Sequence, residues 1–398
     1  MKRFFLLPQA MVPQALVLVL LFSISAMLRA ETIYSPTWGF YLDLPADYQL
    51  SSGDGNNRFS FTAASSGMHF DLIAYPAGTF ASVEALADDV GRRLGNRGDK
   101  SVFDYRGKKA SLLELNFPVP GPSGSGPSGS GSSRGASFSG WGLCVEMAEK
   151  TENGKRPLLL ALAYGPPEKN QLLHISALDS IAPSAAERRL PGPLSEFTYP
   201  RGKTVKTKLA NAAGEALITP EDAEAAQALV DREYETLRLY ADTPLWQEAW
   251  SRFYRIIYRD SFERVADIAF TLERRYNAGS ARDFAEKVLQ FVQAFQYERN
   301  PEGSDFVNLV TAATEGRGDC DSRSLLWAII LEQADIPAAI MVSQEYSHAM
   351  GLADLEGPGA RFEADKKKWL VAETTAKVAL GLIGETKSEI SKWMAVLF

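Results

Sequence analysis

The chain has 398 residues, 45% of them hydrophobic, and its 42 Lys+Arg against 49 Asp+Glu give a formal net charge of −7. This composition excludes wholesale disorder, a collagen-like repeat and a multi-span membrane protein, and a mildly acidic chain lacks the basic footprint of a dedicated nucleic-acid binder. With 2 Cys and 3 His there is too little for a zinc cluster or a disulfide framework, so no cofactor or metal is expected and the open question is whether a cysteine and a histidine belong together.

At the N-terminus Lys2 and Arg3 precede an apolar stretch that is densest at residues 15–22 and gives way to small residues ending at Ala30. That is the order of a secretory signal peptide, and the dense run is shorter than the ~20 residues of a spanning helix. Residues 1–30 are therefore read as a signal peptide cleaved after Ala30. An uncleaved N-terminal membrane anchor is the alternative, because Leu28 and Arg29 make an untidy cleavage site. Either way the chain is expected to be exported to the periplasm or cell envelope, where disulfides are permitted.

Residues 31–182 read as strand-rich. Period-two alternation predicts strands at 40–44, 58–61 and 68–72, with a tight turn at Asp54-Gly55-Asn56. A helix over 82–94 carries Val83, Leu86, Val90 and Leu94 on one face. Further strands are predicted at 111–117, 138–147 and 158–164, and a helix at 168–181 with Leu172, Ile175 and Leu178 as its stripe. The pattern implies an antiparallel sheet covered by helices. Residues 118–135, rich in Gly, Ser and Pro, cannot bury apolar area and read as a disordered hairpin insertion. Residues 183–216 read as a linker. His69 and His174 are expected in ordinary surface positions of a strand and a helix. The phrase GFYLDLPADY at 39–48, with a helix after the third strand, resembles the PsbP-like α/β/α sandwich of exported bacterial proteins. The resemblance implies a binding role.

Residues 217–279 read as a helical segment. Thr219-Pro220 and Thr243-Pro244 each place a capping hydroxyl before proline at a helix start. Trp246, Trp250, Phe253, Ile257 and Phe262 run near helical spacing and predict a packed core face. Arg252, Arg255 and Arg259 interleave with this stripe. Glu248, Asp260 and Glu263 neutralise them, so a solvated charged face is expected. Ser280 opens another helix, to about residue 296, with Phe284, Val288, Phe291 and Phe295 on one side.

The chemistry-bearing motif is Gly316-Arg317-Gly318-Asp319-Cys320-Asp321, followed by an apolar run at 325–331. Asp319 is a natural N-cap, so Cys320 should open a buried helix. The positive end of that helix and a nearby imidazolium would lower the thiol pKa from ~8.5, while Asp319 and Asp321 would oppose this unless they cap the helix or point away. A strand at 338–343, a second starting near His348 and a third at 368–375 follow. His348 lies 28 residues after Cys320, and Glu373 lies 25 after His348. Adjacent antiparallel strands can pair a histidine with a carboxylate, which supplies a cysteine nucleophile with a base and an orienting group.

The ordered set GRGDCDSRSLLWAIIL, YSHAMGLADL and WLVAETT resembles the transglutaminase-like superfamily in its bacterial thiol-enzyme form over about residues 280–383, within a core domain taken as 280–398. The resemblance implies a papain-like α+β core with Cys320 as nucleophile, His348 as general base and acid, and Glu373, where Asp is commoner, as the third member. Asp354 is the fallback for that place. Asp321 stands where animal transglutaminases have Trp, so crosslinking and calcium dependence are not carried over. Gln293 or Gln296 could assist an oxyanion site, with the backbone N–H of Cys320. The fold class is thus α+β. The expected function is amide or isopeptide hydrolysis, or acyl transfer, on a peptide, protein or cell-envelope substrate, with no nucleic-acid partner. Two bland alternatives stand beside it: a Cys144–Cys320 disulfide, and a catalytically silent binding or scaffold module.

Overall fold

The structure is a computed structural model that describes residues 32–119, 137–148, 154–167, 171–299 and 304–398. The expected signal peptide or anchor, and the Gly/Ser/Pro insertion beyond Val119, lie outside the described residues. No helix among the described residues is long and apolar enough to cross a membrane. The fold is α+β.

The first half opens with a short antiparallel pair, β1 (Ile33–Tyr34) and β2 (Tyr41–Leu42). A seven-stranded antiparallel sheet follows, built from β3 (Tyr48–Gly53), β4 (Arg58–Ala63), β5 (Met68–Tyr75), β6 (Lys100–Tyr105), β7 (Lys108–Pro118), β8 (Ser137–Glu146) and β9 (Leu158–Gly165), in the order β3-β4-β5-β9-β8-β7-β6. Helix α1 (Val83–Leu94) is capped by the Ser82 hydroxyl, which accepts from the Ala85 N–H, and ends on Gly95 in the left-handed region. Its Val83, Leu86 and Val90 pack on Leu113, Leu115, Leu160 and Leu162 of one sheet face. Helix α2 (Gln171–Asp179) covers the other face through Leu173, Ala177 and Leu178. The period-two reading therefore located most of this sheet. It missed β3 and β6, edge strands with little apolar alternation.

Two first-half histidines differ from one another. His69 stacks on Tyr164 at 5.2 Å. His174, expected at a surface, is buried with Nε2 2.9 Å from the Met68 sulfur, and burial pushes its pKa down to about 4.

The stretch read as a linker carries its own elements. Helix α3 (Pro193–Thr198) has the Asp179 carboxylate accepting from the backbone N–H groups of Leu194 and Ser195. Strands β10 (Val205–Lys208) and β11 (Glu215–Ile218) form a hairpin. Absence of periodicity signalled irregular structure there, and polar side chains fasten it down.

Four helices follow: α4 (Asp222–Arg238), α5 (Trp246–Arg264), α6 (Ala266–Tyr276) and α7 (Ala281–Gln293). Ser280 caps α7 as predicted, accepting from the Asp283 N–H. Thr219 does not cap α4; the Asp222 carboxylate reaches back to the Thr219 N–H at 3.1 Å instead. The arginines of α5 are not a solvated face. Arg252 is buried, paired to Glu233 at 2.7 Å, and donates to the carbonyls of Asp43 and Ser176. Arg255 holds the Asp43 carboxylate through two nitrogens at 2.8 and 2.9 Å. Arg259 donates to the carbonyls of Asp179, the last residue of α2, and of Ile181 and Leu190 beyond it. The neutralising carboxylates came from Glu233 of α4 and Asp43 of the first half, which local charge counting could not reveal.

The last part is a five-stranded antiparallel sheet packed on a buried helix. Strands β12 (Gln296–Tyr297) and β13 (Arg317–Gly318) pair in parallel around helix α8 (Leu309–Glu315) and lead into α9 (Cys320–Gln333). The sheet order is β16 (Arg361–Ala364), β17 (Lys367–Ala372), β15 (His348–Ala353), β14 (Ala338–Ser343), β18 (Met394–Val396). Residues 325–331 of α9 are fully buried, as an all-round apolar run requires. Trp327 lies against Gly351 of β15, where an added Cβ would come within 2.4 Å of the indole ring. Only glycine permits that approach of helix to strand, and it fixes how closely the start of α9 meets the strand that carries His348.

Candidate active site

Asp319 caps α9 as the sequence required, its Oδ1 accepting from the Ser322 N–H at 2.8 Å and the Ser322 hydroxyl at 2.6 Å. Cys320 is therefore the first helical residue, 3% exposed, and the backbone N–H of Ala349, the residue after His348, is near enough to its thiol to favour the thiolate. His348 opens β15. Its Nε2 lies 2.9 and 3.2 Å from the two carboxylate oxygens of Glu373, just past the end of β17. Nε2 is thus the nitrogen engaged by the acid, which leaves Nδ1 as the one available to a thiol. Helix α9 and the Glu373 turn are also tied together, by the Ser324 and Thr374 hydroxyls at 2.9 Å.

Glu373 is held from several sides. Burial alone would raise its pKa. The His348 ring, as hydrogen-bond partner and charge, together with the Thr375 hydroxyl at 2.6 Å and its N–H at 2.9 Å, brings it down to about 2. Gln293 is buried, and its amide donates to the carbonyls of Glu373 and Val378. Its NH₂ group is committed to shaping the acid's turn, so it is not a spare oxyanion donor. Gln296 is exposed on β12, beside β13. Asp354 pairs with Lys367 beyond the far end of β15 and is not part of the His348 cluster.

The thiol is not in the electropositive setting that a helix start alone suggests. Burial, then Asp321 and Asp319, push the Cys320 pKa up, against smaller lowering by the Ala349 N–H and the Arg299 charge. Both carboxyls are also raised above the ordinary carboxylate range, by burial first. Asp321 accepts from the buried Tyr254 hydroxyl at 2.9 Å. The resting thiol is accordingly protonated near neutral pH. Ligand atoms of Asp319, Cys320 and Asp321 lie within 4.8 Å of one another, but Asp319 is the helix cap and Asp321 the partner of Tyr254, so this cluster is accounted for by the helix start itself. Cys144 and Cys320 are both free and buried, and Cys144 sits inside β8, so no disulfide joins them.

Sequence reasoning missed several residues around the pair. Thr375 was legible in principle, as a hydroxyl two residues beyond the acid, a spacing suited to local side-chain-to-backbone bonding. Tyr254 was hidden in the aromatic stripe of α5. Lys387 and Trp393 lie in a stretch without periodicity, yet Lys387 Nζ is 3.5 Å from Glu373 Oε2 and the Trp393 ring stands edge-to-face to His348 at 6.2 Å.

No protein-family model and no curated protein matches the chain. Among solved structures, a crystal structure of a protein from Bacteroides thetaiotaomicron VPI-5482 is similar over 57% of this chain and 76% of its own, with 9% identity and a TM-score of 0.25.

Proposed function

We propose that this protein is an exported thiol enzyme of the transglutaminase-like kind that attacks carboxamide carbonyls of peptide, protein or cell-envelope substrates. The observation that carries the reading is the His348–Glu373 pair at 2.9 Å, with Cys320 buried at the helix start near Ala349, the residue after that histidine. Glu373 holds Nε2–H and so fixes the tautomer in which Nδ1 is the base. Because the thiol rests protonated, His348 takes its proton as the sulfur attacks, instead of holding a preformed ion pair. The sulfur–carbonyl bond forms as the carbonyl π pair moves to oxygen, and the Cys320 N–H at the helix start helps hold that oxyanion. Collapse expels the amine, which takes the proton from His348. Water then releases the acid, or a second amine takes the acyl group. Export is supported by the charged, apolar and small-residue order of residues 1–30.

A second reading, a catalytically silent binding module, is favoured by the two carboxylates and the burial that raise the thiol pKa. Site-resolved mass spectrometry of iodoacetamide alkylation separates the two. The enzyme reading expects Cys320 to be alkylated near neutral pH at a rate that collapses in His348→Ala. Alkylation confined to strongly alkaline pH and indifferent to His348 refutes it and leaves the binding module.

A further inference from the structure

We infer that the C-terminal strap, residues 384–393, positions the His348–Glu373 pair, with Lys387 and Trp393 as its positioning residues; this deepens the thiol-enzyme reading and rests on it. The strap brings Lys387 and Trp393 to the pair and joins β18 at the edge of the sheet. Most of its side chains are exposed, Ile390 among them. Trp393 is buried, and Lys387 and Lys392 are partly exposed. Lys387 Nζ lies 3.5 Å from Glu373 Oε2. Trp393 is buried, meets the His348 ring edge-to-face at 6.2 Å and the Tyr346 ring at 5.5 Å, and donates its Nε1–H to the Lys387 carbonyl at 2.9 Å. That last bond ties the two positioning residues into one unit. Lys392 sits over Tyr346 at 5.3 Å, one step further from the pair.

The chemical consequence is specific. The acid must stay ionised and keep its oxygens toward Nε2, and the ring must not swing. The imidazole and Thr375 hold the acid ionised; Lys387, 3.5 Å from the Oε2 that meets Nε2, steadies that oxygen, and the Trp393 wall stands beside the ring. The charged and titratable groups around His348 are Glu373 from the turn after β17, Cys320 and Asp321 from α9, and Lys387 and Lys392 from the strap. Among these the Lys387 charge opposes protonation of the imidazole, and Glu373 favours it. Removing Lys387 therefore moves the acid limb of His348-dependent chemistry to higher pH. Lys387→Arg, which keeps the charge, restores it.

The experiment follows the His348 imidazole by NMR titration, which 3 histidines in the chain make tractable, and the pH profile of Cys320 alkylation, in the full chain. Thermal melting checks that each variant folds. Lys387→Gln is expected to raise both midpoints by about 0.5 pH unit, roughly threefold in rate on the acid limb, as for a partly exposed ion pair. Lys387→Arg should overlay the wild type. Trp393→Phe, which loses the Nε1 donor, should move the midpoints in the same direction by less. An unmoved imidazole midpoint in Lys387→Gln, or a Lys387→Arg variant as displaced as Lys387→Gln, overturns the inference. Should wild-type alkylation prove independent of His348 while the imidazole midpoint still moves, the enzyme reading falls and the positioning role stands.

Discussion

Asp321→Asn should make Cys320 more reactive, although it removes a carboxylate from the heart of the site. The Asp321 oxygen and the Cys320 sulfur lie within 4.8 Å. A full charge at that separation disfavours a thiolate by about 3.5 kcal/mol at an effective dielectric near 20, roughly 2.5 pKa units, and by about 0.9 kcal/mol, roughly 0.6 unit, in water. Asp321 is itself pushed toward its neutral form by burial, so only part of that charge is present and a drop of about one unit is expected. One unit raises the thiolate fraction about tenfold at pH 7. A less basic thiolate is a weaker nucleophile, with a Brønsted slope of about 0.4–0.5, which leaves a net gain of about three- to fourfold in alkylation rate. The amide oxygen of Asn can still accept from Tyr254, now 2.9 Å from Asp321 Oδ1, so the fold should survive. The assay is the alkylation rate of Cys320 against pH, read by peptide mass spectrometry. A variant rate equal to or below the wild type at pH 7 would show that Asp321 does not act on the sulfur through its charge.

Three further outcomes test the surroundings of the site. Gly351→Ala should destabilise the chain by at least ~1–3 kcal/mol in urea unfolding, because its Cβ would lie 2.4 Å from the Trp327 ring; a neutral result would mean that α9 can shift freely on β15. Arg252→Met should cost about 3–5 kcal/mol, since it leaves Glu233, 2.7 Å from Arg252 Nη1, buried without that partner, and a loss under ~1 kcal/mol would contradict this. Glu373 is lowered from 4.5 to about 2. A depressed carboxylate stabilises the fold above its unfolded pKa and loses that contribution as pH falls through the folded value, so acid unfolding of the wild type between pH 4.5 and 2 should forfeit up to about 3 kcal/mol that Glu373→Gln does not. Parallel acid-unfolding curves for the two would count against the paired geometry.

The parts legible in the sequence were those governed by local rules. Ser82, Ser280 and Asp319 each cap the helix they were expected to open, because a capping oxygen reaches only the next two or three amides. The strands of the large sheet with a buried face showed their period of two, and the run after Cys320 announced its burial. Order and spacing also nominated His348 and Glu373, which the fold brings within hydrogen-bonding distance. What stayed hidden depended on distant partners. Arg252, Arg255 and Arg259 looked like a surface stripe since Glu233, Asp43 and the carbonyls at and beyond the end of α2 are brought in by tertiary packing. The sign of the thiol shift was hidden likewise. The helix start and the two carboxyls were visible, but burial, the largest contribution, belongs to the finished core.

Helix α5 faces two ways. Arg252, Arg255 and Arg259 grip the sheet half, while Tyr254, between them in sequence, holds the carboxyl beside Cys320. Cutting the chain to isolate the Cys320-bearing half would strip these guanidiniums of their acceptors in the sheet half, leaving Arg252 its Glu233, and loosen the same rod that steadies the nucleophile's neighbour. Loss of reactivity in such a fragment would therefore report a broken scaffold, and dissection of this protein should proceed by single substitutions in the intact chain.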